Sequence, residues 1–386
     1  MTEPKQRLLS LDFFRGLTVA AMILVNNPGS WGHIYAPLEH AEWNGCTPTD
    51  LIFPFFLWIV GVSIAFAMSS SKADPSTHYK TINKAIKRGV ILYLLGFFLA
   101  IFGKMMAVMT DGKSLLEAFQ TVRLLGVLQR IGIVFVVSSI IFLKVSTRGI
   151  FKLLISILAI YWALMTFVPV PGIGYANLEK ETNLAAWIDR GVLTEAHTWS
   201  SSKTWDPEGI LSTLPAIGTC LFGILAGVWM RGKDTDQPTK VAWLFTAGIA
   251  AVILGLLWDL QFPINKALWT SSYVLYAGGL ASIGFALCYW LIDVQGYKRI
   301  TQPFVVYGVN AITVFFLAGL MPRMLNFIKL PNADGTQSPL LEKMYATFYT
   351  PFFSPVNASL AWAISYVLGF YVLLYLMYKK NIIIKV

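Results

Sequence analysis

The sequence carries little charge for its length. Asp, Glu, Lys and Arg make up 13% of its 386 residues, whereas an ordinary soluble domain carries about 25%. Hydrophobic residues reach 56% and the mean hydropathy is +0.62. There is too little polar sequence to cover a large soluble domain, so we expect most of the chain to lie in a lipid bilayer.

Cysteine is scarce as well. Cys46, Cys220 and Cys288 form neither an even set nor a metal-ligand spacing, so we predict no disulfide and no bound metal. Long runs of Lys and Arg are missing, which argues against a nucleic-acid partner in spite of a net charge of +10. No internal repeat is visible, and this weakens the case for a secondary transporter, whose halves are often related in this way.

What the sequence does contain is a series of long apolar segments. A bilayer core needs roughly 20 apolar residues per helix. Segments of this length lie at 8–28, 49–70, 86–103, 122–143, 149–168, 209–231, 241–260, 267–292, 302–322 and 357–378. The sequence therefore predicts an all-α, polytopic integral membrane helical bundle of about ten transmembrane helices. We expect one domain over residues 1–386, with a long extracytoplasmic loop at 169–208.

Two segments need a separate interpretation. The run 8–25 resembles a signal peptide in length, but Asp12 and Arg15 interrupt it, so we predict a retained first span. Tyr, Phe and Pro crowd together at 345–353, where Pro351 and Pro355 prevent a continuous helix. An eleventh, re-entrant or interfacial segment is the prediction there.

The distribution of basic residues predicts the orientation. With the N-terminus in the cytoplasm, 18 Lys and Arg fall on the cytoplasmic side and 10 on the outer side, as the positive-inside rule requires. An even number of spans then places both termini in the cytoplasm. The loop 29–48 and the acidic loop 169–208 face outward.

The densest group of polar and aromatic residues follows the first span. It includes Asn26, His40, Trp43, Asn44 and Asp50. An outer loop with an aromatic belt explains much of this group, but not an Asn within the membrane or a His flanked by two Glu. Carboxylates beside an imidazole can raise its pKa or fix its tautomer, which suits a general base. Structural and catalytic interpretations both stay open.

Two arginines lie inside predicted spans, where an unpaired charge is costly. Arg15 shares a helix face with Asp12, so the pair either fixes the depth of the helix or leaves Arg15 to bind a phosphate. Arg130 lies about two turns into the fourth span. It either forms a structural ion pair with Asp50 or caps a carbonyl, or it contacts a phosphate or carbonyl of a ligand.

Two further segments are expected to line the same outer cavity. Asp206 followed by Pro207 is typical of a helix N-cap. Trp269 opens the eighth span, either as part of an aromatic belt or as a stacking surface for a sugar ring. Asn310, in the middle of the ninth span, is expected to hydrogen-bond another helix.

Several of these segments together resemble one family. They are LDFFRG at 11–16, HAEWNG at 40–45, TDLIFP at 49–54, GVLQR at 126–130, DPEGIL at 206–211 and NKALW at 265–269. In this order they resemble the heparan-alpha-glucosaminide N-acetyltransferase family over nearly the whole chain. The resemblance implies a membrane enzyme that moves the acetyl group of cytoplasmic acetyl-CoA to the amine of a glucosamine-type sugar on the extracytoplasmic side.

The resemblance also implies roles for individual residues. His40 matches the family's active-site histidine, with Asn26 and Asp50 as polar neighbours. His40 would accept the proton of the attacking amine, Asn26 would donate to the developing oxyanion, and Asp50 would orient the imidazole. A covalent acetyl-His40 intermediate is the alternative. Cys46 is not assigned as an acyl carrier.

The remaining site residues are chosen from the segments themselves, since the resemblance matches Arg15 and Arg130 without assigning their roles. The candidate acetyl-CoA contacts are Arg15 and Arg130, and the candidate substrate contacts are Trp43, Asn44, Glu208 and Trp269. Because the CoA phosphates cannot cross hydrocarbon, the head of the molecule should stay at the cytoplasmic mouth while its pantetheine arm reaches inward.

One departure from the family leaves the acceptor open. We expect a protein that begins directly at the first span, without the additional N-terminal luminal domain of the animal members, and that lies in a bacterial-type inner membrane. The expected partners are acetyl-CoA, an amino-sugar acceptor and the lipid bilayer, with a homodimer as an open alternative. The rival function is a membrane transporter of N-acetylglucosamine or a related amino sugar.

Overall fold

The structure, a computed structural model, describes residues 8–111, 114–332 and 334–384. Its helices are α1 (Leu9–Asn26), α2 (Ile52–Ala67), α3 (Ser69–Ala73), α4 (His78–Asp111), α5 (Leu115–Gln120), α6 (Val127–Lys144), α7 (Thr147–Phe167), α8 (Leu184–His197), α9 (Thr213–Arg231), α10 (Gln237–Asp259), α11 (Ser271–Tyr289), α12 (Gln302–Val309), α13 (Ala311–Phe327), α14 (Leu340–Phe348) and α15 (Pro355–Lys379). An antiparallel hairpin of β1 (Lys329–Pro331) and β2 (Gln337–Pro339) is the only sheet in the described residues.

The membrane-spanning helices agree with the sequence prediction. Among the described residues, nine helices are long and apolar enough to cross a membrane, and the number is ten if the bent pair α12–α13 counts as one span. The prediction of an all-α bundle of about ten spans is therefore confirmed. The third span is longer than predicted, because α4 continues for 34 residues from His78 to Asp111.

The ninth span is broken where the sequence suggested a polar contact. Helices α12 and α13 meet at an angle of 80°, and Asn310 lies between them with φ −118° and ψ 36°. Its side-chain amide donates to the Ile382 carbonyl at 3.1 Å and accepts from the Ile384 amide at 3.0 Å. The expected bond to another helix is wrong, because Asn310 instead binds the extended segment that follows α15.

The segment 345–353 does not form a further long helix. Helix α14 ends at Phe348, before Pro351, and Tyr345 and Tyr349 pack their rings against Trp362 of α15. At nine residues α14 is too short to span a bilayer. Its depth in the lipid stays a prediction.

The helices divide into a central and a peripheral set. In α1, α6 and α9 between 61% and 67% of the spanning residues are buried inside the protein, compared with 28% in α10 and α15. The exposed residues of the peripheral helices are mainly apolar, among them Leu254, Leu257 and Leu368. This is the pattern of a bundle whose outer helices face hydrocarbon.

Glycines allow the central helices to touch along their backbones. A Cβ on Gly61 of α2 would lie 2.0 Å from the Cys220 carbonyl oxygen of α9, and a Cβ on Gly223 would lie 2.0 Å from the Trp58 carbonyl oxygen. Small residues at crossings are typical of membrane helices, where close packing replaces the hydrophobic effect as the source of association. This contact fixes the position of α2, and with it the 3₁₀ turn Pro48–Leu51 at its start.

The long loop 169–208 is ordered by its own helix. Asn183 caps α8 by accepting from the Ala186 amide at 2.9 Å, and Arg190 donates to the Thr204 carbonyl at 2.8 Å. The loop therefore folds over the ends of the helices at one side of the bundle.

The glycine contact between α2 and α9 can be tested by adding one methyl group. In Gly61→Ala the new Cβ meets the backbone of α9, so we expect a loss of about 1–3 kcal/mol of stability and a lower midpoint of thermal unfolding in detergent. The control is Gly369→Ala in α15, where nothing lies within 4 Å of the new Cβ. Equal midpoints for the two variants would contradict the close approach.

Candidate active site

The ends of several helices surround a cavity of about 460 Å³. Its polar lining includes Asn26 at the end of α1, His40 in the following loop, Asp50 at the start of α2, Glu208 before α9 and Lys266 before α11. A second cavity of about 820 Å³ adjoins it, since both are lined by Asn26, Arg123 and Trp199. Residues far apart in the sequence thus face one space of a size suited to a small ligand.

The central contact of the cavity joins His40 and Asp50. The imidazole Nδ1 lies 2.7 Å from the carboxylate Oδ1. Asp50 is 1% exposed, whereas the His40 side chain is 48% exposed. A buried carboxylate therefore fixes the tautomer of an accessible imidazole, with hydrogen on Nδ1 and the lone pair on Nε2.

The backbone around Asp50 explains why its carboxylate is held so firmly. Its Oδ2 accepts from the amides of Ala41 and Thr47, each at 3.0 Å, and from the Thr47 hydroxyl at 3.1 Å. The Thr47–Asp50 contacts form the capping box of the 3₁₀ turn that precedes α2. One carboxylate thus both starts the second span and orients the histidine.

Lys266 completes this group, and the sequence interpretation did not single it out. Its Nζ lies 3.1 Å from Nδ1 and 3.2 Å from Nε2 of His40, and 3.8 Å from Oδ1 of Asp50. Burial lowers the pKa of Lys266 below its usual value, against the opposing effect of Asp50 and Glu208. The sequence signal was only its place in NKALW, because 226 positions separate it from the histidine.

Asn44 positions this lysine rather than lining the cavity. Its side-chain oxygen accepts from the Asn265 amide nitrogen at 3.1 Å, and the Gly45 amide donates to the Ile264 carbonyl at 2.8 Å. Gly45 has φ +101°, a conformation that glycine adopts readily. Asn44 was predicted to contact the substrate. In the structure it joins the His40 loop to the segment that carries Lys266.

Asn26 and Trp43 do face the cavity, as their predicted roles require. Asn26 is exposed and makes no side-chain hydrogen bond within the described part of the chain, so its amide is available to a ligand. The Trp43 indole donates to the Leu178 carbonyl at 2.9 Å and packs edge-on against Trp205. The packed pair of Trp43 and Trp205 therefore lines the same cavity as His40.

Glu208 lines the cavity but is engaged by an arginine that the sequence interpretation missed. Arg123 binds Asp206 through Nε at 2.8 Å and reaches both Asp206 and Glu208 through Nη2. Burial disfavours the charged guanidinium, but the two carboxylates outweigh it and hold the pKa of Arg123 above its usual value. Asp206 is not the cap of the sixth span, because α9 starts later, after Ser212; it accepts instead from the Glu208 amide.

Arg130 lies beneath this loop, at 1% exposure. It donates to the carbonyls of Pro207 and Gly209, each at 3.0 Å, and to the Ser212 hydroxyl. Of the alternatives for Arg130, these contacts favour the capping of carbonyls over an ion pair with Asp50, and Arg130 lines neither cavity.

The position of Trp269 fits neither an aromatic belt nor a surface on which a sugar could stack. Its ring is 0% exposed, its indole donates to the Thr219 hydroxyl at 3.0 Å, and its neighbours are Phe53 and Tyr273. An aromatic belt and a sugar-stacking surface both need an exposed ring. The prediction of a substrate contact is therefore corrected, because the ring is part of the core under the cavity.

Arg15 lies toward the opposite end of α1 from Asn26. It binds Asp12 at 3.2 Å, as the shared helix face predicted, and donates to the Ser63 hydroxyl at 3.0 Å. Its side chain stays 24% exposed. The structure thus does not bring Arg15 together with the His40 cavity.

Cys46 lies within the electrostatic reach of Asp50 and Lys266. Burial and the negative charge of Asp50 raise the pKa of its thiol to about 12. A thiol that stays protonated is a poor nucleophile, in agreement with leaving Cys46 out of the acyl-transfer chemistry. Among the described residues, no three His, Cys, Asp or Glu side chains form a metal-binding group.

The comparison with known proteins identifies the family. Residues 7–256 match the model of the family described as "Heparan-alpha-glucosaminide N-acetyltransferase, catalytic". The chain belongs to this family. The match includes every candidate site residue up to Glu208, whereas Lys266 and Trp269 lie beyond it.

Two curated members of the heparan-alpha-glucosaminide N-acetyltransferase family extend the similarity past residue 256. The proteins of that name from Homo sapiens and Mus musculus are each 28% identical to this chain, over an alignment that covers 88% of it. The chain spans 57% and 58% of their respective lengths. Family membership thus agrees with the resemblance of the motifs. Five of the six segments that carry the resemblance contribute residues to the cavity lining, and the segment 11–16 does not.

The acidic residues of the loop 169–208 predict a pH-dependent stability. Burial first, and then the neighbouring Asp206, raise the pKa of Asp189 to about 6, although the Ile210 amide donates to it at 2.9 Å. The fold therefore favours the protonated acid, and this stabilisation is present below about pH 4 and lost as the pH rises through 6. It amounts to at most about 3 kcal/mol.

The measurement is thermal unfolding of wild type and Asp189→Asn between pH 4 and 7. The Asn oxygen can still accept from the Ile210 amide. As the pH rises, the thermal midpoint of Asp189→Asn should therefore increase relative to that of wild type. Glu179→Gln, at an exposed position of the same loop, should follow wild type throughout. A constant difference between wild type and Asp189→Asn would refute the raised pKa.

Proposed function

We propose that this chain is a transmembrane acetyltransferase that transfers the acetyl group of acetyl-CoA to the amine of a glucosamine-type sugar. The observation that carries the proposal is the His40–Asp50 contact of 2.7 Å at the wall of an open cavity, in a chain that belongs to an acetyltransferase family. A buried carboxylate, an accessible imidazole and a free amide are the groups that acyl transfer to an amine needs.

His40 supplies the base. With hydrogen on Nδ1 donated to Asp50, Nε2 presents a lone pair to the proton of the attacking amine. As the C–N bond forms, the imidazole becomes positively charged, and the buried Asp50 carboxylate stabilises that charge. An acetyl-His40 intermediate would use the same Nε2 as a nucleophile, so the geometry serves both mechanisms.

Asn26 supplies a hydrogen-bond donor for the oxyanion. Negative charge develops on the thioester oxygen during the attack, and a preorganised amide lowers the energy of that state. Asn26 fits this role because its side chain faces the His40 cavity without another partner in the described chain. Trp43, on the same wall, provides an aromatic surface beside the acceptor sugar, and Glu208 a carboxylate near its amine.

The donor is proposed to enter from the cytoplasm. Its phosphates would remain near Arg15, whose planar guanidinium is partly exposed. Arg130 would act from beneath, because it holds the backbone of the loop that carries Glu208. The protein would be a multi-pass protein of a bacterial-type inner membrane, with both termini in the cytoplasm.

The decisive experiment is a turnover assay with purified protein. Acetyl-CoA and glucosamine should give free CoA thiol and N-acetylglucosamine. His40→Ala should lower turnover by roughly 10² or more while acetyl-CoA still shifts the thermal midpoint. The matched control is His33→Ala, since His33 lies in the same loop but contacts Ser30.

Two results would defeat the proposal. If the protein carries labelled N-acetylglucosamine into liposomes without releasing thiol, it is a transporter. Normal turnover in His40→Ala would remove the histidine from the chemistry.

The proposed orientation has its own test. In a variant without native cysteines, Glu39→Cys in the His40 loop should react with an impermeant maleimide from outside, and Lys233→Cys between α9 and α10 only from inside. Reaction of both from one side would overturn the topology.

A further inference from the structure

Lys266 contacts the His40–Asp50 pair, which by itself supplies a base but no separate acid for the leaving group. Its Nζ lies 3.1 Å from Nδ1 and 3.2 Å from Nε2 of His40, and Nε2 is the nitrogen that must take the proton of the amine. Its side chain is 21% exposed and lines the cavity. A long basic side chain thus lies within hydrogen-bond distance of both ring nitrogens, including the Nε2 that reacts.

The proposed transfer moves a proton at two different atoms. His40 receives a proton when the amine attacks, while the sulfur of CoA leaves as a thiolate that must gain one. A single histidine can serve both atoms in turn, but only if its Nε2 reaches both the amine nitrogen and the sulfur. A separate acid beside it removes that requirement.

We propose that Lys266 is the catalytic acid that protonates the leaving thiolate of CoA and then recovers its proton from His40. The inference rests on the proposed function. The amine nitrogen forms its bond to the acetyl carbon and gives a proton to Nε2 of His40. The C–S bond breaks, its electron pair stays on sulfur, and the Lys266 ammonium donates a proton to that sulfur.

The direct contact between Lys266 and His40 allows the site to return to its starting protonation state. The neutral Lys266 amine accepts the proton held on Nε2, which restores the neutral imidazole and the ammonium. Overall the amine and the thioester become the amide and the thiol, and the protein returns to its starting protonation state. No oxidant, reductant or further reactant is required.

The surroundings of Lys266 fit a group that both gives and takes a proton. Asp50 and Glu208 favour its charged form, Cys46 adds to them if ionised, and Arg130 opposes them. Burial outweighs the carboxylates and lowers the pKa of the lysine, which makes its ammonium a stronger acid. The Asn44–Asn265 contact anchors the segment that carries Lys266 to the loop that carries His40.

The test compares Lys266→Ala, Lys266→Arg and wild type in the thiol-release assay. Lys266→Ala should lower kcat by roughly 10²-fold or more and should regain activity when methylammonium is added. Lys266→Arg keeps the positive charge but cannot release its proton near neutral pH, so it should stay slow. Wild-type kcat should fall at high pH as Lys266 loses its proton, and this fall should be absent in Lys266→Ala.

Lys180→Ala is the matched control, because Lys180 lines the same cavity but lies over the Trp43 ring, 6.0 Å from its centre. It should keep the high-pH fall and show no response to methylammonium. An acetyl-CoA-dependent shift in thermal midpoint shows that each variant is folded.

The outcomes separate this inference from the function on which it rests. If wild type releases no thiol, the proposed function fails. If wild type is active and either Lys266→Arg restores turnover or methylammonium fails to rescue Lys266→Ala, the acid role of Lys266 is overturned while the acetyltransferase remains.

Discussion

The Asp50 carboxylate is the interaction on which the rest of the site depends. It is almost fully buried near the start of the span Pro48–Ala67, and a charge in that place is tolerated only if it is well paired. Its partners are two backbone amides and a hydroxyl of the preceding loop, the His40 ring and, at longer range, Lys266. These partners give the loop its shape, so the same bonds that satisfy the carboxylate also aim the imidazole.

Arg130 is a buried positive charge and also needs partners that stabilise it. Its partners are backbone carbonyls and a hydroxyl rather than a carboxylate, while the carboxylates of the loop above it bind Arg123. Carbonyl oxygens carry enough negative charge to accept from a guanidinium, and an arginine can serve several of them with its five donors. The loop before α9 is therefore held from below by Arg130 and from the side by Arg123.

Much of the fold was predictable because the bilayer leaves few choices. Segment length and hydropathy located the spans, and the motif around His40 and Asp50 pointed to the pair before their distance was known. The sequence could not reveal Lys266 or Arg123, whose partners lie far along the chain and meet them only through tertiary packing. Trp269 and Asn310 were misplaced for a related reason, since hydropathy does not tell a core ring from an interfacial one or a kink from a continuous helix.

The protonated state of Cys46 bears on how this site could be inhibited. With the pKa of its thiol near 12, almost none of it is thiolate at neutral pH. Cysteine-directed electrophiles such as acrylamides or chloroacetamides would find no reactive sulfur in that position. A blocker that competes for the imidazole, for instance a sugar whose amine is replaced by a non-reacting cation, would not depend on this thiol.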